Sequence, residues 1–223
     1  MCGLVSLRAM NVRDERDKAV LENSLLFEYA TTDPLTGLLN RRALNEEYKT
    51  RIFEPKQRRD RWAMLLLDLD HFKAINDQFG HDVGDQYLIQ LADVLRQSCR
   101  PEDLCSRIGG EEFVVMSVVN GREGAEELAT RIRCAIADHQ FGDGQNHTGK
   151  ITASIGVAMI PHSVPISFDM IYRLADQALY GAKSNGRNCV MVSELSATFS
   201  QKSPEEIKGG DTQEQPFAVN KRS

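Results

Sequence analysis

The run Trp62–Asp70, WAMLLLDLD, constrains this chain most. Such a short continuous apolar segment reads as a buried strand, and this one turns acidic at its end. No apolar run among the 223 residues approaches the roughly 18–20 needed to cross a bilayer, so no membrane span is expected.

Helix and strand patterns alternate around that strand. Asn40 is a candidate N-cap for the helix RRALNEEYKTRIF. FKAINDQF reads as a short helix stopped by Gly80, and DQYLIQLADVLRQSC as a longer amphipathic one. Strands around LCSRI and FVVMSVV flank Gly109-Gly110 as a hairpin would. GAEELATRIRCAIADH is helical, with Leu128, Ile132, Ala135 and Ile136 on one face. ITASIGVAMI alternates, placing Ile151, Ala153, Ile155, Val157 and Met159 on one side of a strand. FDMIYRLADQALYGAKS closes the pattern as a helix, with NCVMV as a last short strand.

These elements make residues 31–193 one folded unit. Residues 1–30 form a lead whose part from 8 onward reads as a charged helix, carrying Val20, Leu21, Leu25, Phe27 and Tyr29. That apolar stretch suits either pairing with another helix or docking on its own domain. The heptad signal is too short to choose. Residues 194–223 hold two prolines, Gly209-Gly210 and unpatterned charge, and are expected to be a flexible tail.

A hydrophobic content of 41% supports a sizeable core. The net charge of −5 excludes the broad positive field of a protein living on duplex nucleic acid, so nucleotide chemistry needs a local site. The apolar patch at the N-terminus precedes its charges, the wrong order for a secretory signal. Five scattered cysteines (Cys2, Cys99, Cys105, Cys134, Cys189) with no CxxC pair fit buried, inert thiols in a reducing compartment, and a cytoplasmic location is expected.

Asp68 and Asp70, two apart on a strand, face the same way. Alone they read as exposed strand-end residues. Gly109-Gly110-Glu111-Glu112 changes that reading, because a Gly-Gly turn lets backbone approach a ligand and sets the next side chain at a tip. Carboxylates from both places make a hard-oxygen site suited to Mg²⁺ or Mn²⁺ and hence to phosphoryl or nucleotidyl transfer.

Five ordered motifs then carry a family resemblance. They are Asp33-Pro34-Leu35-Thr36-Gly37 through Arg42, Asp68 through Lys73, Asn76 through Asp85, Arg107-Ile108-Gly109-Gly110-Glu111-Glu112-Phe113, and Ala175-Asp176 through Tyr180, Lys183 and Gly186-Arg187-Asn188. Together they resemble the GGDEF family of diguanylate cyclases. The resemblance implies an α+β fold with a largely antiparallel five-stranded sheet flanked by helices, similar to polymerase palms and class III nucleotidyl cyclases. It implies condensation of two GTP into cyclic di-GMP and two pyrophosphates between two domains of a homodimer.

Carried over by position, Asp68, Glu111 and the Leu69 carbonyl would hold two Mg²⁺ or Mn²⁺ ions per active half-site. Asp68 and Glu111 would be the catalytic pair, with Asp70, Glu112, Gly109 and Gly110 in support. Asn76 and Asp85 would read guanine, since an amide donates and accepts while a carboxylate accepts from N1–H and the 2-amino group. Phe72 and Lys73 would offer backbone N–H groups to the phosphates, and Lys183 and Arg187 their cations. Arg100-Pro101-Glu102-Asp103, with five residues between Asp103 and Gly109, resembles the RxxD inhibitory site for cyclic di-GMP, with Arg131 or Arg133 completing it. A catalytically silent module that binds GTP or cyclic di-GMP is the alternative.

Overall fold

The computed structural model describes residues 30–53, 61–143, 148–160 and 166–193. The expected helix over 8–30, apart from Ala30, and the tail from 194 lie outside the described residues.

The predicted buried strand is the centre of the molecule. Its residues Trp62–Leu69 form β2, every one of them buried, because β2 is flanked on both edges and covered on both faces. β4 (Glu112–Val118) and β7 (Ala153–Ile160) pair with it antiparallel, setting Asp68 opposite Glu112 on one side and Ser154 on the other. β3 (Leu104–Gly109) continues the sheet beyond β4, and β8 (Val190–Ser193) runs parallel to β7.

The main sheet has six strands in the order β1-β3-β4-β2-β7-β8, not the expected five. The extra strand, β1, is Leu39–Asn40, parallel to β3. Two residues are too few to show an alternating pattern, and Asn40 doubles as a helix cap. A separate two-stranded ribbon of β5 (Phe141–Gly142) and β6 (Thr148–Gly149) is invisible in the sequence for the same reason.

Alternation along β2 divides the core. Ala63, Leu65, Leu67 and Leu69 face α2 (Phe72–Phe79), α3 (His81–Ser98) and α4 (Gly121–Asp138). Trp62, Met64 and Leu66 face α1 (Arg41–Phe53) and α5 (Phe168–Ser184). The predicted Asn40 cap is present, its Oδ1 accepting from Ala43 N–H at 2.9 Å. α3 begins at His81, four residues before the expected start, directly after Gly80 ends α2.

α5 is seated on β7 at Gly156. A methyl group there would overlap the Ala175 carbonyl oxygen and the Leu179 amide nitrogen, so only glycine allows this approach. That seat sets where the last turn of α5 ends relative to β2.

Candidate functional site

Apolar packing carries β2 to its end, and Asp68 continues the face of Leu66 toward α5. Lys183, in the last turn of α5, places Nζ 2.8 Å from Asp68 Oδ1. Burial pushes the Asp68 carboxyl above its ordinary value, and the Lys183 ammonium only partly offsets this.

The hairpin between β3 and β4 adds the second acidic group. Gly110 holds φ 50°, a left-handed turn that favours glycine, and Glu111 follows it. Burial and the neighbouring Asp68 both raise the Glu111 pKa, with Lys183 opposing them. Glu112 is raised by the same two influences. Asp68, Glu111, Glu112, Lys183 and Arg187 thus act on one another electrostatically, three carboxylates against two cations.

Asp70 has a different environment. Thr152 Oγ1 and Ser154 Oγ each donate to it at 2.6 Å, and Asn188 N–H donates at 3.0 Å. Both its oxygens are occupied, so it ties the strand end to the loop after α5. Arg187 and Asn188 in that loop hold φ 64° and 44°, backbone a non-glycine residue adopts only when its surroundings impose it. Glu112 is met by Tyr172, whose hydroxyl donates to it and whose pKa is pushed up to about 12, chiefly by burial. The Arg41 guanidinium lies over the Tyr172 ring, 5.3 Å from its centre.

Phe72 is buried at the start of α2 while Lys73 is exposed. The Asn76 amide lies against Gly84, where any side chain would overlap it, and Asp85 follows on the exposed side of α3. Asn76 and Asp85 therefore share the α2–α3 corner.

Around the Gly109-Gly110 turn, Arg107 donates from Nε to the Gly110 carbonyl at 3.0 Å and from its other end to both oxygens of Asp33, at 3.2 and 3.3 Å. Asp33 also accepts from the Thr36 amide and hydroxyl, at 2.9 and 2.7 Å. Neither residue carried a role in the sequence analysis.

A cavity of about 480 Å³ on another part of the surface is lined by Arg61, Arg100, Asp103, Asn120, Glu127 and Arg131. The Arg100–Asp103 segment is a closed turn, with Arg100 N–H donating to Asp103 Oδ2 at 2.8 Å. Arg131 also holds the Ser98 carbonyl, at 3.0 and 3.2 Å from its two donors. Arg133 is not there. It donates to Asn188 Oδ1 at 2.8 Å, on a different side of α4, because residues two apart on a helix do not share a face. Arg61, which precedes β2, is the cation the sequence reading missed.

The geometry defines an α+β module with an acidic–basic centre at one end of its central strand. Residues 30–189 match the family model described as "Diguanylate cyclase, GGDEF domain", and the chain belongs to that family. It is 40% identical over 163 residues to a diguanylate cyclase of Vibrio cholerae serotype O1, covering 73% of this chain and 50% of the relative. It is 39% identical to diguanylate cyclase DgcP of Pseudomonas aeruginosa, covering 82% of this chain and 25% of that one. The chain therefore spans half or less of the length of these curated relatives. The solved coiled coil and GGDEF domain of DgcB from Caulobacter crescentus, in complex with c-di-GMP, superposes with a TM-score of 0.76 at 28% identity, covering 85% of this chain and 99% of that one. The active GGEEF domain of a Vibrio cholerae diguanylate cyclase gives 0.64 at 37% identity, covering 71% and 99%. Among the described residues no helix is long and apolar enough to cross a membrane.

Proposed function

We propose that this chain condenses two GTP molecules into cyclic di-GMP and two pyrophosphates, with one GTP held by each of two copies meeting as a homodimer. The observation that carries the reading is the Asp68–Lys183 pair, 2.8 Å apart, beside Glu111. It supplies carboxylates for divalent cations and a cation for phosphates within one small site.

The residues present suit Mg²⁺ or Mn²⁺, two ions per half-site. Asp68 and Glu111 offer hard oxygen ligands, and Asp68 raises the Glu111 pKa, so a cation beside them is favoured. Asp68, Glu111 and the Leu69 carbonyl would hold the ions, which when bound neutralise the triphosphate and ease loss of the 3′-hydroxyl proton.

The protein's own groups do the rest. Lys183 exchanges Asp68 for phosphate oxygens, and Arg187 adds a fork to the same group. Backbone N–H groups at Phe72 and Lys73 orient the phosphates. Asn76 and Asp85 select guanine, because adenine would leave the Asp85 carboxylate without donors. Asp70 fixes the Arg187–Asn188 loop, while Gly109, Gly110 and Glu112 set the position of Glu111. Arg100, Asp103 and Arg131 bind the product as a feedback inhibitor, and Arg61, lining the same cavity, adds a further cation.

The test is incubation of purified protein with GTP and Mg²⁺, with chromatography of the products and Glu111→Gln in parallel. Cyclic di-GMP from the unmodified protein, and its loss in the variant, is expected. Equal product from both would refute the role of Glu111, and none from either would refute the activity.

A further inference from the structure

We propose that Arg133 is a positioning residue for the nucleotide triphosphate: reaching from α4, it holds Asn188 and thereby aims the adjoining Arg187. The inference deepens the reading above and rests on its assignment of Arg187 to the phosphates.

The loop that carries Arg187 needs holding. Gly186, Arg187 and Asn188 follow one another with φ of 101°, 64° and 44°. Glycine adopts such backbone freely and asparagine tolerates it better than most residues, while an arginine there is uncommon. A relaxed chain would carry Arg187 out of this region and turn its side chain elsewhere. Surrounding contacts must therefore impose the conformation.

Backbone groups supply part of the grip. Arg187 N–H donates to the Ala182 carbonyl at 3.1 Å, which folds the loop onto the end of α5. Asn188 N–H donates to Asp70 Oδ2 at 3.0 Å. The Cys189 carbonyl accepts from Ile155 N–H at 3.0 Å and leads the chain into β8. These bonds place the amides of the loop and leave the Asn188 side chain, on its outer edge, to be placed by something else.

Arg133 meets that edge. One terminal nitrogen donates to Asn188 Oδ1 at 2.8 Å, and the other to Cys134 Sγ at 3.1 Å. Cys134 is half-buried, not sealed in the core as its sequence setting suggested. The guanidinium is thus tied at both ends, and a charged donor makes the stronger kind of hydrogen bond. Ile132, its neighbour on α4, is fully buried, so the arginine extends from a helix that the core holds in place.

The consequence falls on Arg187. Its side chain is exposed, yet it lies near enough to Asp68 to act on that carboxylate. An exposed arginine must give up rotamer freedom to grip a phosphate, and a loop already fixed in shape reduces the ordering required. Arg133 touches no substrate in this account. It acts through Arg187, so the effects of removing the two residues should not add.

Two measurements on the full chain test it. The first is amide hydrogen exchange without nucleotide, which does not depend on the cyclase reading. Arg133→Ala should speed exchange at the Arg187 and Asn188 amides about tenfold, the loss of one hydrogen bond to a charged group. Arg133→Lys keeps a charged donor and should restore slow exchange. Unchanged exchange in Arg133→Ala, or equally fast exchange in Arg133→Lys, would overturn the proposal.

The second is equilibrium dialysis of a non-hydrolysable GTP analogue with Mg²⁺. Arg187→Ala should weaken binding about tenfold and Arg133→Ala about fivefold, as for loss or misplacement of one charge-assisted contact. The double variant should bind no more weakly than Arg187→Ala alone. Additive losses, or none from Arg133→Ala, would overturn this inference and leave the assignment of Arg187 standing. Undiminished binding by Arg187→Ala would instead overturn that assignment, and this inference with it.

Discussion

Lys183 Nζ lies 2.8 Å from Asp68 Oδ1, joining the last turn of α5 to the end of the central strand. Replacing this lysine with methionine keeps the stem and removes the charge. Turnover of GTP should fall about a hundredfold, as for loss of one preorganised group facing developing charge. Because Lys183 is 35% exposed, the unfolding free energy should change by only about 1 kcal/mol. Steady-state product formation beside urea unfolding separates the two effects. Unchanged turnover would exclude Lys183 from the site.

The same relationship depends on Gly156, because that glycine lets α5 lie on β7.

 Gly156 is a β7 residue facing Ala175 and Leu179. Gly156→Ala should cost about 2–3 kcal/mol through overpacking. It should also lower activity, because α5 must lift and carry Lys183 away from Asp68. Full activity with native stability would show that α5 is not positioned by this contact.

Asp33 and Arg107 bear on pH. Burial raises the Asp33 pKa, but hydrogen bonds from Thr36 and Arg107 outweigh it, so the folded value lies below the ordinary 3.8. A depressed carboxyl pKa gives stability that is present above the unfolded value and lost as pH falls through the folded one. Asp33→Asn should therefore destabilise by about 1.5 kcal/mol at neutral pH, with the gap to the unmodified protein closing below pH ~4. Urea unfolding at a series of pH values measures this, and a gap constant with pH would refute it.

Arg100 and Arg133 divide the two sides of α4. Arg100→Ala should weaken inhibition by cyclic di-GMP at least about tenfold, the loss of a charge-assisted contact. Arg133→Ala should leave that inhibition unchanged, because Arg133 faces Asn188 and not the cavity. Inhibition curves for the two variants decide it. Equal effects would place both arginines on one ligand.

Much of this was legible because local pattern and burial agreed. The apolar run of β2, the alternation of β7 and the glycine hairpin each sit where the sequence places them. Asp68 was legible as a polar residue ending an apolar strand. What stayed hidden depends on partners far along the chain. The Asp70 clamp uses Thr152, Ser154 and Asn188, and Arg107 finds Asp33 across 74 positions. Ser154 left one trace, a polar residue on a strand face that is otherwise apolar. Which of Arg131 and Arg133 lines the cavity depends on the rotation of α4 against the sheet, which sequence spacing does not supply.

The most direct measurement is the ratio of pyrophosphate to cyclic di-GMP formed from GTP and Mg²⁺, with ATP as the competing substrate. The account predicts two pyrophosphates for each cyclic di-GMP and no cyclic product from ATP. Pyrophosphate without cyclic di-GMP, or equal use of ATP, would contradict it.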